Sequence, residues 1–210
     1  MPLYKSITVD QSTNILIWKI EESFEELSDG IELTDHCQKR VDNMKSDLHK
    51  RGFMSVRHLL AIFGYTDHDL YYDDFGKPHL KDGKQVSITH SYEYAGVVIS
   101  DKLVGIDIEK QRDKILRIAH KFVASEQKFV DQHQEEKVRV LTVIWGAKES
   151  LYKLYGTAGL SFEQHIHIMP FDLNMPFTAG SIHHQEKVSH YDITFLEFEG
   201  FTCVYALPYL

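Results

Sequence analysis

The sequence predicts an α+β protein built of two similar α+β lobes, and three observations carry that prediction. Helix-period segments precede strand-like segments in each half of the chain. No Ser/Gly-rich linker, charge block or low-complexity run interrupts it. Its 210 residues lie between one large domain and two small ones. The halves share no convincing residue-by-residue identity, so the repeat is one of architecture.

In the first half, residues 15–20 read as a short apolar strand. Helical pattern starts at about residue 34 and again over about 48–63, where Phe53, Val56, Leu60 and Phe63 recur at helical spacing. A turn-rich piece, 66–84, leads into strands at 86–90 and 94–99. Ser100-Asp101-Lys102 reads as a tight hairpin turn into a strand over 103–109. The lobes are expected to divide there, into 1–101 and 102–210. In the second half, helical pattern covers about 114–133 and 136–155. Strands follow at 164–169, 188–198 and 201–207, the last two joined by Glu199-Gly200.

With 43% hydrophobic and 26% charged residues, the composition is that of a globular protein, which excludes disordered, collagen-like and coiled-coil classes. Every apolar run is shorter than the roughly 20 residues that span a bilayer. Residues 1–22 lack the apolar core of a secretory leader, so no membrane association is expected. Cys37 and Cys203 stand far apart in unlike contexts, neither a disulfide framework nor a zinc set, so a reducing cytoplasm is the expected location. A net charge of −8 argues against a nucleic-acid partner and leaves room for local basic patches.

Two segments carry chemistry. In Val104-Gly105-Ile106-Asp107-Ile108-Glu109, strand alternation puts Asp107 and Glu109 on one face and Ile106 and Ile108 on the core face. Neighbouring carboxylates repel unless a cation lies between them, and all-oxygen donors suit a hard ion such as Mg²⁺. The plainer reading is a strand end with two solvated acids. In Trp145-Gly146-Ala147-Lys148-Glu149-Ser150-Leu151-Tyr152-Lys153, four-residue spacing puts Trp145, Glu149 and Lys153 on one helix face. Glu149 is a candidate third metal ligand or general base, and Lys153 a candidate phosphate contact. The plainer reading is an ion pair on a solvated helix, with Trp145 as a core anchor.

Gly-Ile-Asp-Ile-Glu followed by Trp-x-x-Lys-Glu-Ser-x-x-Lys resembles the signature of the 4′-phosphopantetheinyl transferase superfamily, and the resemblance runs over about residues 50–155. Gly76-Lys77-Pro78 is similar to the family's Gly-Lys-Pro turn. Thr89-His90-Ser91 is similar to its Ser-His-Ser, with Thr in place of the first Ser. Size and layout resemble the longer, surfactin-synthetase-activating type. That likeness implies a monomer folded as an intramolecular pseudo-dimer, with the active site between its lobes.

The resemblance implies an enzyme that moves the 4′-phosphopantetheine group of coenzyme A onto a serine of an acyl or peptidyl carrier protein, releasing 3′,5′-ADP. It implies Asp107, Glu109 and Glu149 as Mg²⁺ ligands, with Asp107, Glu149 and Lys153 catalytic. Lys153 and His90 would reach the coenzyme's phosphates, Lys77 its nucleotide end, and Arg51 and Arg57 its 3′-phosphate. A non-catalytic coenzyme A-binding module of the same fold is the alternative, and the presence of all three carboxylates with Lys153 weighs against it. Gly146-Ala147 departs from the family's commoner Ser/Thr-bearing pair, but both residues are small and leave the site open.

Residues 110–121 hold five Lys or Arg against one acid. Lys114, Arg117 and Lys121 are expected on one helical face, a docking surface for an acidic carrier protein. Ser125 reads as a helix N-cap and Glu126 as a first-turn acid. His165-x-His167 and His183-His184 lack an evident third ligand and are assigned no role.

Overall fold

The structure, a computed structural model, describes residues 3–209, and the chain divides into two compact units, Met1–Lys102 and Leu103–Leu210. Both are α+β. The first contains β1 (Leu3–Thr8), β2 (Asn14–Lys19), α1 (Phe24–Ser28), α2 (Asp35–Asp42), α3 (Asp47–Ile62), β3 (Leu70–Tyr72), β4 (Pro78–Leu80), β5 (Gln85–Ser91) and β6 (Tyr94–Ser100). Its main sheet is antiparallel in the order β1-β2-β6-β5. Every residue of β6, Tyr-Ala-Gly-Val-Val-Ile-Ser, is buried, as a central strand covered on both faces requires. The helix α3 turns Phe53, Met54, Val56, Leu59 and Leu60 into the core with Leu16, Ala95 and Val97 of the sheet.

The second unit contains β7 (Gly105–Lys110), α4 (Lys114–Ile118), α5 (Gln127–Gln132), α6 (Lys137–Tyr155), β8 (Ile166–Ile168), β9 (Phe177–His184), β10 (Lys187–Phe198) and β11 (Phe201–Pro208). They form one antiparallel sheet, β7-β11-β10-β9-β8. Val140, Leu141, Val143, Ile144, Ala147, Leu151 and Leu154 of α6 pack into one core with Ile166, Ile182, Ile193 and Val204 of the sheet. Gly156 ends α6 in the left-handed region at φ 69, where a residue without Cβ carries no steric penalty. Among the described residues, no helix is long and apolar enough to cross a membrane.

The structure corrects two of the expected elements and adds others. Ser100-Asp101-Lys102 is not a hairpin turn, because β6 pairs with β2 and β5 while β7 pairs with β11. Ser100 Oγ instead accepts the Lys102 N–H and bonds Thr13 Oγ1, fixing the chain where it leaves the first sheet. The expected helix over about 114–133 is broken into α4, a 3-10 turn at Ala119–Lys121, and α5. The break lets Phe122 and Val123 drop into the core, at 0% and 7% exposure. Strands β1 and β9 and helix α1 are additional; α1 starts with a capping box in which Ser23 and Glu26 satisfy each other's backbone N–H.

Candidate active site

Strand β7 carries Asp107 next to α6. Helix α6 also lies close against the neighbouring strand β11 because Gly146 has no side chain: a Cβ there would stand 2.7 Å from Val204 Cγ2, with Asp107 Oδ2 at an ordinary 3.9 Å. The glycine that departs from the family's commoner residue is therefore a packing requirement here. Ser150 Oγ adds a bond across the same contact, donating to the Val204 carbonyl at 3.0 Å.

Asp107 is 5% exposed, which rules out the reading of two solvated acids. Lys153 Nζ donates to Asp107 Oδ1 at 2.7 Å and to the Ile106 carbonyl at 3.0 Å. Glu149, one helical turn before Lys153, is pushed up from its ordinary 4.5 to about 7. Burial is the first cause and the Asp107 charge the second, while Lys153 opposes the shift and Glu109 adds to it. The charges of Asp107, Lys153 and Glu109 thus all act on Glu149 within the second unit.

Beside Glu109 lies a cavity of about 190 Å³ lined by Glu109, Lys110, Arg112, Lys114, Ile115, Ile118 and Trp145. Trp145 is held as an aromatic anchor, with ring centroids 5.0 Å from Phe122 and 5.4 Å from Phe162. Lys114 and Arg117 are exposed on α4, but Lys121 belongs to the 3-10 turn, so the three do not share one continuous helical face.

Sequence reasoning missed Lys148. Its side chain is fully buried, and Nζ meets Glu126 Oε1 at 2.9 Å and the carbonyls of Phe122 and Phe162 at 2.6 and 2.8 Å. Burial pulls its pKa down while Glu126 opposes. A lysine spaced four after Ile144 and three before Leu151, both core residues, was the available signal. Glu126 is correspondingly not a first-turn surface acid: it is 3% exposed and accepts the Ile168 N–H. Ser125 is not an N-cap either, since its hydroxyl bonds His167 Nδ1.

The other expected contacts belong to the first unit. Arg57 departs from expectation. It is 3% exposed, bonded through Nε to Asp67 Oδ1 at 2.9 Å and through Nη2 to Cys37 Sγ at 3.3 Å, and stacked over Phe53. A guanidinium committed to a buried carboxylate is a structural post, not a phosphate ligand. Arg51 donates to the Ile20 carbonyl at 3.1 Å, and its buried Nε has no hydrogen-bond partner among the described residues. Lys77 sits in a turn held by Asp73 Oδ1, which accepts the N–H groups of Phe75 and Lys77, and burial lowers the Lys77 pKa. His90 is exposed at the end of β5 with its ring over Gly52 of α3, where a Cβ would stand 3.0 Å from the imidazole. A glycine inside a helical pattern was the signal for that close approach.

Asp107, Glu109 and Glu149 offer hard carboxylate oxygens, a chemistry that suits Mg²⁺ and not a softer metal. Among the described residues no three His, Cys, Asp or Glu side chains converge into a closed metal-holding group, at the acids or at the paired histidine rings of His165–His184 and His167–His183. At the acids, Asp107 Oδ1 faces Lys153 instead.

A buried Asp107, a Glu149 whose pKa is raised and the Lys153 ammonium form one electrostatic cluster of acids and a cation. Residues 103–205 match the family model of the 4′-phosphopantetheinyl transferase superfamily. The chain is also similar to 4′-phosphopantetheinyl transferase gsp of Aneurinibacillus migulanus, 27% identical over 153 residues that make up 70% of this chain and 62% of that protein.

Proposed function

We propose that the protein transfers the 4′-phosphopantetheine group of coenzyme A to a serine hydroxyl of an acyl or peptidyl carrier protein, releasing 3′,5′-ADP. The observation that carries this reading is Asp107, buried at 5% exposure, paired with Lys153 at 2.7 Å and helping by its charge to push Glu149 up to about 7. The superfamily match and the named relative support it.

The serine oxygen attacks the β-phosphorus of coenzyme A, the P–O bond to the ADP portion breaks, and the serine proton is taken up by a base. A pKa near neutrality suits Glu149 to accept that proton, directly or through water. Lys153 Nζ, one turn further along α6, is the cation within reach of phosphoryl oxygens that gain charge as the bond breaks. Asp107 and Glu109, with Glu149 as third donor, would hold Mg²⁺, which supplies charge stabilisation on the diphosphate. His90, Lys77 and Arg51 take the phosphates and nucleotide end in this reading; the Arg51 Nε has hydrogen-bonding capacity to spare. Arg57 drops out.

The exposed cations Lys114, Arg117 and Lys121 remain the surface we assign to an acidic carrier. The expected monomeric state and cytoplasmic location belong to this same reading. Replacing Asp107 by Ala should abolish transfer from coenzyme A; full turnover in that variant would refute the site assignment. The alternative, a coenzyme A-binding module without activity, finds no support in a site that retains its three carboxylates and Lys153.

A further inference from the structure

Lys153 does more in this structure than wait for a phosphate. Its Nζ lies 2.7 Å from Asp107 Oδ1 and 3.0 Å from the Ile106 carbonyl. The Asp107 side chain is 7% exposed and that of Lys153 28%, so the carboxylate lies in the interior while the lysine borders solvent. An ammonium at this place neutralises charge that the carboxylates would otherwise direct at one another. A divalent ion among Asp107, Glu109 and Glu149 would meet it at close range, and the two cations repel.

We propose that Lys153 is a resident counter-ion that occupies the acid set while coenzyme A is absent and disfavours free divalent metal. The coenzyme's diphosphate then draws the ammonium off Asp107. A lysine suits this exchange because its compact charge on a flexible stem moves between a carboxylate and a phosphate, unlike a planar guanidinium locked by two parallel bonds. The inference rests on the reading of the site as one for metal and coenzyme A. Its consequence is that the two ligands bind as a coupled pair, each strengthening the other by the same factor.

The test titrates Mn²⁺ into the full chain and follows the free aqueous ion by electron paramagnetic resonance, with no turnover needed. Without coenzyme A, Lys153→Met and Lys153→Gln should bind Mn²⁺ about tenfold more tightly than the unmodified protein, and Lys153→Arg should resemble it. Coenzyme A should tighten Mn²⁺ binding to the unmodified protein by about tenfold and to the Met and Gln variants by less. In an Asp107→Asn background the effect of Lys153→Met should vanish. Equal Mn²⁺ affinity of the unmodified and Lys153→Met proteins without coenzyme A would overturn the counter-ion and leave the metal assignment standing. Failure of every protein to bind Mn²⁺, even with coenzyme A, would overturn both.

Discussion

A Cβ on Gly105 would stand 1.9 Å from the carbonyl oxygen of Ser150. Strand β7 and helix α6 therefore touch backbone to backbone, and that contact sets Asp107 beside Glu149. Gly105→Ala cannot be absorbed by a rotamer change, because the atom in the way is main chain. The variant should lose at least about 1–3 kcal/mol in urea denaturation and lose transfer activity with it.

The Lys148–Glu126 pair is fully internal, at 0% and 2% side-chain exposure. Removing one partner strands the other charge, so Lys148→Met should cost about 3–5 kcal/mol. Adding Glu126→Gln removes the stranded charge and keeps an oxygen for the Ile168 N–H. The double variant should recover at least about 1 kcal/mol of that loss. Equal stability of single and double variants would show that the pair is not energetically coupled.

Where apolar period was strong, the sequence already contained the structure. The α3 and α6 stripes, the buried run of β6 and the β10–β11 turn at Glu199 and Gly200 were all legible. The turn is of the kind in which both residues take positive φ, here 47 and 78. Strand β1 was not legible, because it is mostly exposed and pairs only along β2. Strand β9 hid behind Gly180, whose missing side chain makes room for Ile193 and Leu151. Of the site, the Asp107, Glu109, Glu149 and Lys153 spacing could be read, since strand and helix periods are local. Arg57 was misassigned to a phosphate and Lys148 was missed, because their partners Asp67 and Glu126 are brought to them only by tertiary packing.

Glu149 binds its proton more tightly in the folded chain, at about 7 against an ordinary 4.5. For a carboxylate raised in this way, the stabilisation is complete below the unfolded value and is lost as pH rises through the folded one. The metal-free protein should therefore lose melting temperature between about pH 4.5 and pH 7 more steeply than Glu149→Gln, whose amide does not titrate. Parallel melting curves for the two proteins would contradict the partly buried placement of Glu149 within reach of the Asp107 charge.

Gly52 lets the His90 ring lie against α3, with a virtual Cβ only 3.0 Å from it. Gly52→Ala should displace the imidazole and raise KM for coenzyme A, leaving KM for the carrier unchanged. An unaltered KM for coenzyme A would remove His90 from the phosphate contacts.

Reversing Lys114 and Arg117 to Glu should raise KM for the carrier and not for coenzyme A, because both side chains are exposed on α4 and offer positive charge to an acidic partner. No change in either constant would end the docking assignment.

The most direct measurement is the intact mass of an apo acyl or peptidyl carrier protein after incubation with this protein, coenzyme A and Mg²⁺, with a parallel EDTA reaction. The account predicts a gain equal to one phosphopantetheine group on the carrier, lost in EDTA and lost with Asp107→Ala. No gain on any acyl or peptidyl carrier, from a protein shown to bind coenzyme A, would contradict it and establish a binding module in place of a transferase.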